Sequence, residues 1–240
     1  MKKNPAMRSF SSPFCWLSIL IFVATSVTSL AAEDVPASVK TRLPIGMNLA
    51  GISDYGLGFP FKNLMWGARP WTSRNQSGKG NFNTGLADRI PLDGNGYPLE
   101  LPYKPAGAAE AQTVMTIIPN VTEPGRYIVL YEGEGELTVA MSSKLISSEP
   151  GRLVIELAGK AADSAYEGIA IRASAKANHV RNIRILRQED ETADLTANPF
   201  RLDFLNYCKQ WHVLRFMDWA ATNNSLEKEW SGRKPAGFYT

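Results

Sequence analysis

Between Thr113 and Leu186 the chain carries six short runs rich in β-branched and aromatic residues. They are Thr113 to Ile118, Gly125 to Glu132, Glu136 to Met141, Gly151 to Leu157, Gly168 to Ala173 and Val180 to Leu186. Pro119-Asn120, Pro124-Gly125, Gly133-Glu134-Gly135 and Pro150-Gly151 punctuate several of them. Short strands at this spacing, joined by hairpin turns, predict an antiparallel β-sandwich or jelly roll and argue against a βαβ sheet. Alternation agrees in part: Tyr127, Val129 and Tyr131 oppose Ile128 and Leu130, and Ile183 and Ile185 fall opposite the charged Arg184.

What lies upstream divides into three. Residues 1–31 read as an export signal, with Lys2, Lys3 and Arg8 before an apolar run and Ser29-Leu30-Ala31 as small residues for cleavage. The expected location is therefore secreted or periplasmic, with membrane contact only during export. This segment holds three of the 26 Lys and Arg and none of the 23 Asp and Glu, so the formal charge of +3 belongs to it. The remainder is neutral, and composition points neither to nucleic acid nor to an anionic membrane surface. A single cysteine, Cys208, then remains, so no internal disulfide is available and the fold must rest on a packed core. Residues 32–42 form a polar linker, and residues 43–188 the β module with an irregular opening. In that opening Leu43 to Ile52 reads as a strand and Phe61 to Ala68 as one or two helical turns ending before Arg69-Pro70. Thr72 to Gly85 reads as a mobile polar stretch, or one ordered by a ligand. Asp93 to Pro98 reads as a turn, followed by an extended Pro-rich edge.

The acidic run Gln188 to Glu191 reads as a solvated hinge within a second linker, residues 189–197. Beyond it, Asn198 and Pro199 supply a helix start, and Phe200, Phe204 and Cys208 recur at helical spacing. Trp211 to Trp219 reads with period two as a buried strand, Val213, Arg215, Met217 and Trp219 on one face, before the polar loop Thr222 to Ser225. A short helix, a strand carrying an arginine and a polar loop at its carboxyl end is how a (β/α) barrel opens. A whole barrel takes about 250 residues. Residues 198–240 are therefore expected to be the start of a truncated barrel, or else an α/β appendage on the sandwich.

The segment Leu214 to Trp219 with Thr222-Asn223-Asn224 resembles the first barrel strand of secreted bacterial proteins similar to (β/α)8 glycoside hydrolases, in which a β-rich module precedes the barrel. Gly46 to Ile52 and Ala68-Arg69-Pro70-Trp71 resemble the opening of the same proteins. The resemblance implies the amino-terminal portion of an exported carbohydrate-active protein. Its glycosidase carboxylate pair would come from later strands, so this chain is not expected to be catalytic by itself. The alternative is a non-catalytic carbohydrate-binding or envelope-interaction module. Either way the expected partner is a poly- or oligosaccharide, with no metal or cofactor.

Two candidate sets follow. At the barrel-like strand are Arg215, Asp218, Trp219, Asn223 and Asn224. Asp218 is suited to accept from a sugar hydroxyl, to orient Arg215 or to cap the loop; Arg215 to contact sugar or form an ion pair; Trp219 to stack on a pyranose or to fill a core. In the first module are Asn48, Asp54, Trp66, Arg69 and Trp71, which combine flat apolar faces with planar hydrogen-bonding groups; Trp66 and Trp71 serve equally as anchors of the chain's opening. Cys208 reads as a small buried hydrophobe rather than a nucleophile.

Overall fold

A computed structural model describes residues 43–55, 58–120, 123–159, 166–223, 225–235 and 237–240. The export signal, the first linker and Asn224 lie outside the described residues. Ten strands and one α-helix are described. In chain order the strands are β1 (Leu43–Asn48), β2 (Thr72–Asn75), β3 (Gln112–Ile117), β4 (Gly125–Glu132), β5 (Gly135–Met141), β6 (Lys144–Glu149), β7 (Arg152–Leu157), β8 (Glu167–Ser174), β9 (Arg181–Arg187) and β10 (Trp211–Arg215). The helix, α1, spans Leu202–Cys208.

Eight of the strands build two four-stranded antiparallel sheets, ordered β2-β3-β8-β5 and β6-β7-β4-β9. The inward residues of both meet in one core: Val114, Leu137, Ile169 and Ile171 from the first sheet, and Tyr127, Val129, Leu153, Ile155, Ile183 and Ile185 from the second. The predicted parity holds in β9, where exposed Arg184 lies between buried Ile183 and Ile185; in β4, Ile128 is buried along with Tyr127 and Val129, so both faces of that strand are covered. The protein is thus mainly β with antiparallel sheets, as the six runs predicted.

Strand β6 is the one the sequence pattern hides. Its residues, KLISSE, are all exposed because it is an edge strand pairing only with β7, and without a buried face there is no apolar alternation to read. The expectation of a mobile stretch from Thr72 also needs correcting. Thr72–Asn75 forms β2, paired antiparallel with β3, and the buried Ser73 hydroxyl lies 2.8 Å from the Thr84 hydroxyl while accepting from the Leu86 amide. Polar side chains bonding back onto the backbone, not apolar packing, order this segment.

The opposite edge, β9, is closed by side chains from the chain's opening. A short 3-10 turn, Leu64–Gly67, packs across it. At its start the buried Asn63 side chain accepts from the Met65 amide at 3.1 Å and from the Ile185 amide at 3.0 Å. One turn along the edge, the Tyr97 hydroxyl accepts from the Ile183 amide at 3.1 Å. Free edge amides invite pairing with other chains, and these two side chains occupy them.

The segment from residue 188 onward is bound to the same body. Its acidic run is no free hinge, since Asp190 pairs with Lys62 at 2.8 Å and Glu191 accepts a two-point bond from Arg152 at 2.7 and 3.0 Å. Helix α1 begins at Leu202 with Arg201 as its N-cap, three residues later than Asn198 and Pro199 suggested. The reason is competition for backbone: Phe200 bridges Phe61, with Lys62 donating to the Pro199 carbonyl and Arg201 to that of Pro60, both at 2.9 Å. Strand β10 ends at Arg215 rather than Trp219, because Ala220, Ala221 and Thr222 donate back to Phe216, Asp218 and Met217 and fold the chain into turns. It pairs with β1, in parallel: Gly46 faces Val213, Met47 faces Leu214 and Asn48 faces Arg215.

Asn63 carries two backbone amides that nothing else replaces. Asn63→Ala is expected to cost about 2–4 kcal/mol, since each buried donor left unpaired costs about 1–3 kcal/mol. Urea denaturation followed by circular dichroism measures this.

Candidate functional site

Four of the residues singled out in sequence, Asn48, Arg215, Asp218 and Asn223, gather at the carboxyl ends of β1 and β10. Parallel register sets Asn48 beside Arg215, and the turn after β10 swings Asp218 back so that its carboxylate accepts a hydrogen bond from the Asn48 amide. Asp218 thereby serves Asn48 rather than orienting Arg215. Arg215, expected in an interior, is exposed, and its guanidinium turns toward the Met217 sulfur. Asn223 is exposed nearby and donates to the same sulfur at 3.5 Å. An exposed Arg, an Asp–Asn pair and an amide on one rim can offer donors and acceptors to a polyhydroxylated ligand.

Trp219 takes the other of its two roles. It stacks on Phe204 at 5.5 Å between ring centroids and meets Phe61 edge-on at 5.8 Å and Phe216 at 6.1 Å. Phe61 in turn stacks on Phe200 at 5.3 Å and meets Trp66 edge-on at 5.4 Å. This aromatic chain fastens α1 and β10 to the opening of the sheets, and it uses the Trp219 face that stacks on Phe204 for packing.

The second predicted set separates into three places. Asp54 is buried and pairs with Arg69 at 2.8 Å. The Asp54 hydrogen bond holds the Arg69 guanidinium above its ordinary pKa, and the guanidinium also lies 5.1 Å over the Tyr166 ring. This pair anchors the opening, since Asn120 donates to the Asp54 carbonyl at 2.8 Å. Trp71 is buried: its indole donates to the Gly96 carbonyl at 2.8 Å, and its ring stacks on Tyr239 at 4.8 Å. Trp66 is half-buried beside open space.

Sequence reasoning missed the role of the last residues. Tyr239 is 5% exposed, its hydroxyl accepts from the Trp71 amide at 3.1 Å, and its own amide donates to the Asn95 carbonyl at 3.1 Å. Burial pushes the Tyr239 and Tyr97 phenols up to about 12, so both stay neutral hydrogen-bonding groups. The available signal was Gly96: φ is +84° there, and any Cβ would come within 2.7 Å of the Tyr239 ring.

Cys208 is half-buried and burial pushes its thiol pKa up, which suits a packing role. His179 lies 2.8 Å from the Asp93 carboxylate, in the turn that joins the sheets' ends. Among the described residues no three His, Cys, Asp or Glu side chains converge as a metal site would require. No protein-family model, curated protein or solved structure matches the chain.

The seating of α1 and β10 depends on Trp219. Trp219→Ala is expected to speed proteolysis within residues 200–223 by about tenfold, because losing roughly 1.4 kcal/mol of local packing raises the open population by that factor. Limited proteolysis with mass mapping reads this, while the main unfolding transition of the two sheets stays in place.

Proposed function

We propose that this chain is the amino-terminal portion of an exported, glycoside-hydrolase-like carbohydrate-active protein, non-catalytic by itself, with its sugar-contacting rim at the carboxyl ends of β1 and β10. The observation that carries this reading is the parallel pairing of β1 with β10. Parallel strands belong to sheets covered on both faces, and two strands alone make no stable sheet. Here Ile45 is 56% exposed, Val213 57% and Phe216 51%, while Leu202, Leu205 and Tyr207 of α1 also face solvent. Such apolar faces fit further strands and helices of a barrel, whose chemistry sits at the strands' carboxyl ends. Asp218 is the carboxylate that β10 delivers there, and one carboxylate cannot act as both acid and nucleophile.

One observation favours the alternative, a self-contained binding module. Phe238 and Tyr239 return to the sheets and seal Trp71 and Tyr97, which fastens residues 198–240 to the sandwich as an appendage would be. The rim is common to both readings and so is its ligand class.

Retention of the purified chain on insoluble polysaccharides tests the rim. Wild type is expected to bind at least one neutral polysaccharide without releasing reducing sugar. Asp218→Asn and Arg215→Ala should each weaken retention about tenfold, the loss of one hydrogen bond to a charged group being worth about 1.5–3 kcal/mol. Retention unchanged in both variants contradicts the rim, and measurable hydrolysis contradicts the non-catalytic assignment.

A further inference from the structure

A separate cleft of about 510 Å³ opens along the β9 edge, away from the carboxyl rim of β1 and β10 in its lining residues. Its volume lies within the range of about 300–1,000 Å³ usual for small-molecule sites. Half-buried Trp66 contributes aromatic surface, while Phe238 stacks on Tyr239 at 5.3 Å with the Lys234 ammonium 4.5 Å over its ring and lends the cleft its ring edge. Asn182 and Arg184 of β9, Glu132 at the end of β4, and Asp194 and Thr196 of the loop after the acidic run contribute the polar groups.

The backbone at the cleft is irregular in a way the sheet itself does not need. Register runs from Leu130 facing Arg184 to Glu132 facing Arg181, so one residue of β4 faces two of β9. Within this bulge Asn182 has φ of +51°, the left-handed region, where asparagine is among the few side chains at ease. Bulges re-aim side chains beside binding sites, and this one leaves the Asn182 amide exposed within the cleft. Across from it, Asp194 is fixed by accepting from the Thr196 and Ala197 amides at 2.9 and 3.1 Å. The tail is fixed by Tyr239. Both walls are therefore preformed.

We infer that this cleft is a second carbohydrate subsite, which takes a neutral oligosaccharide. Aromatic faces accept the apolar C–H surface of a pyranose, while an amide, a threonine hydroxyl and two carboxylates meet hydroxyl groups that both donate and accept. Glu132 is paired with Arg181 at 3.6 Å and Asp194 stands with Arg184 in the lining, so the cleft carries little net charge with which to recruit an acidic sugar. The inference rests on the carbohydrate reading above for its ligand class, yet it concerns different residues.

Calorimetric titration of the full chain with cellohexaose, maltohexaose, xylohexaose, chitohexaose and hexagalacturonate tests it. At least one neutral hexasaccharide is expected to bind. Asn182→Gly keeps the left-handed backbone and removes the amide, and should weaken that binding about tenfold; Thr196→Val on the facing loop should do likewise, and circular dichroism verifies that each variant is folded. Glu149→Gln, on the far edge strand β6, should leave this affinity unchanged. Binding lost in Asp218→Asn but kept in Asn182→Gly and Thr196→Val overturns the cleft and leaves the carbohydrate reading standing. Binding of hexagalacturonate alone overturns the neutral assignment. Absence of any titratable binding overturns the cleft, whereas polysaccharide retention that depends on Asp218 would still uphold the rim.

Discussion

Parallel hydrogen bonding between residues 43–48 and 211–215 joins segments about as far apart in this chain as any two described strands. A parallel pair always needs a crossover, and commonly one helix supplies it. Here the crossover is the whole two-sheet body. Everything placed at the rim follows from that closure: Asn48 reaches Asp218 only because β1 and β10 run in the same direction and end together. The pairing would be weak unaided. It is held by the aromatic chain from Trp219 through Phe61 to Trp66, and by Arg201 at the start of α1, whose guanidinium reaches Glu123 at 3.5 Å.

The same body manages its edges by different means. At β9 the exposed amides are taken by Asn63 and Tyr97, which also form a wall of the neighbouring cleft. At β6 the edge is left open, with Lys144 and Glu149 at its ends and Leu145 and Ile146 exposed between them. The β1, β10 and α1 corner exposes more apolar side chains, Ile45, Val213, Leu202, Leu205 and Tyr207, on elements that lack cover among the described residues. That contrast sets this corner apart from the rest of the surface.

Much of the sheet architecture was legible because buried strands alternate and hairpin turns carry proline and glycine. Strand β9 was visible from its alternation and β4 and β7 from their β-branched and aromatic runs beside proline and glycine turns. What escaped notice was held by polar or long-range contacts. Strand β2 is ordered by Ser73, Thr84 and Gln112, which no apolar period betrays. The start of α1 was misplaced because Phe200 is claimed by a bridge to Phe61, almost 140 residues upstream. At the site, the residues near β10 were correctly placed together, yet Trp219 and Trp71 proved to be packing groups, and the cleft around Asn182 is assembled from segments too distant for any local pattern to connect.

A crosslink tests the parallel closure most directly. A Cβ placed on Gly46 would lie 3.4 Å from the Val213 Cβ, close to the separation of about 3.5–4.5 Å that a disulfide requires. In a chain with Cys15 and Cys208 replaced by serine, Gly46→Cys with Val213→Cys should oxidise readily to an intramolecular bond, seen as a reversible shift in gel mobility. A pair that stays reduced in the folded protein, or links only between molecules, would contradict the closure and with it the rim.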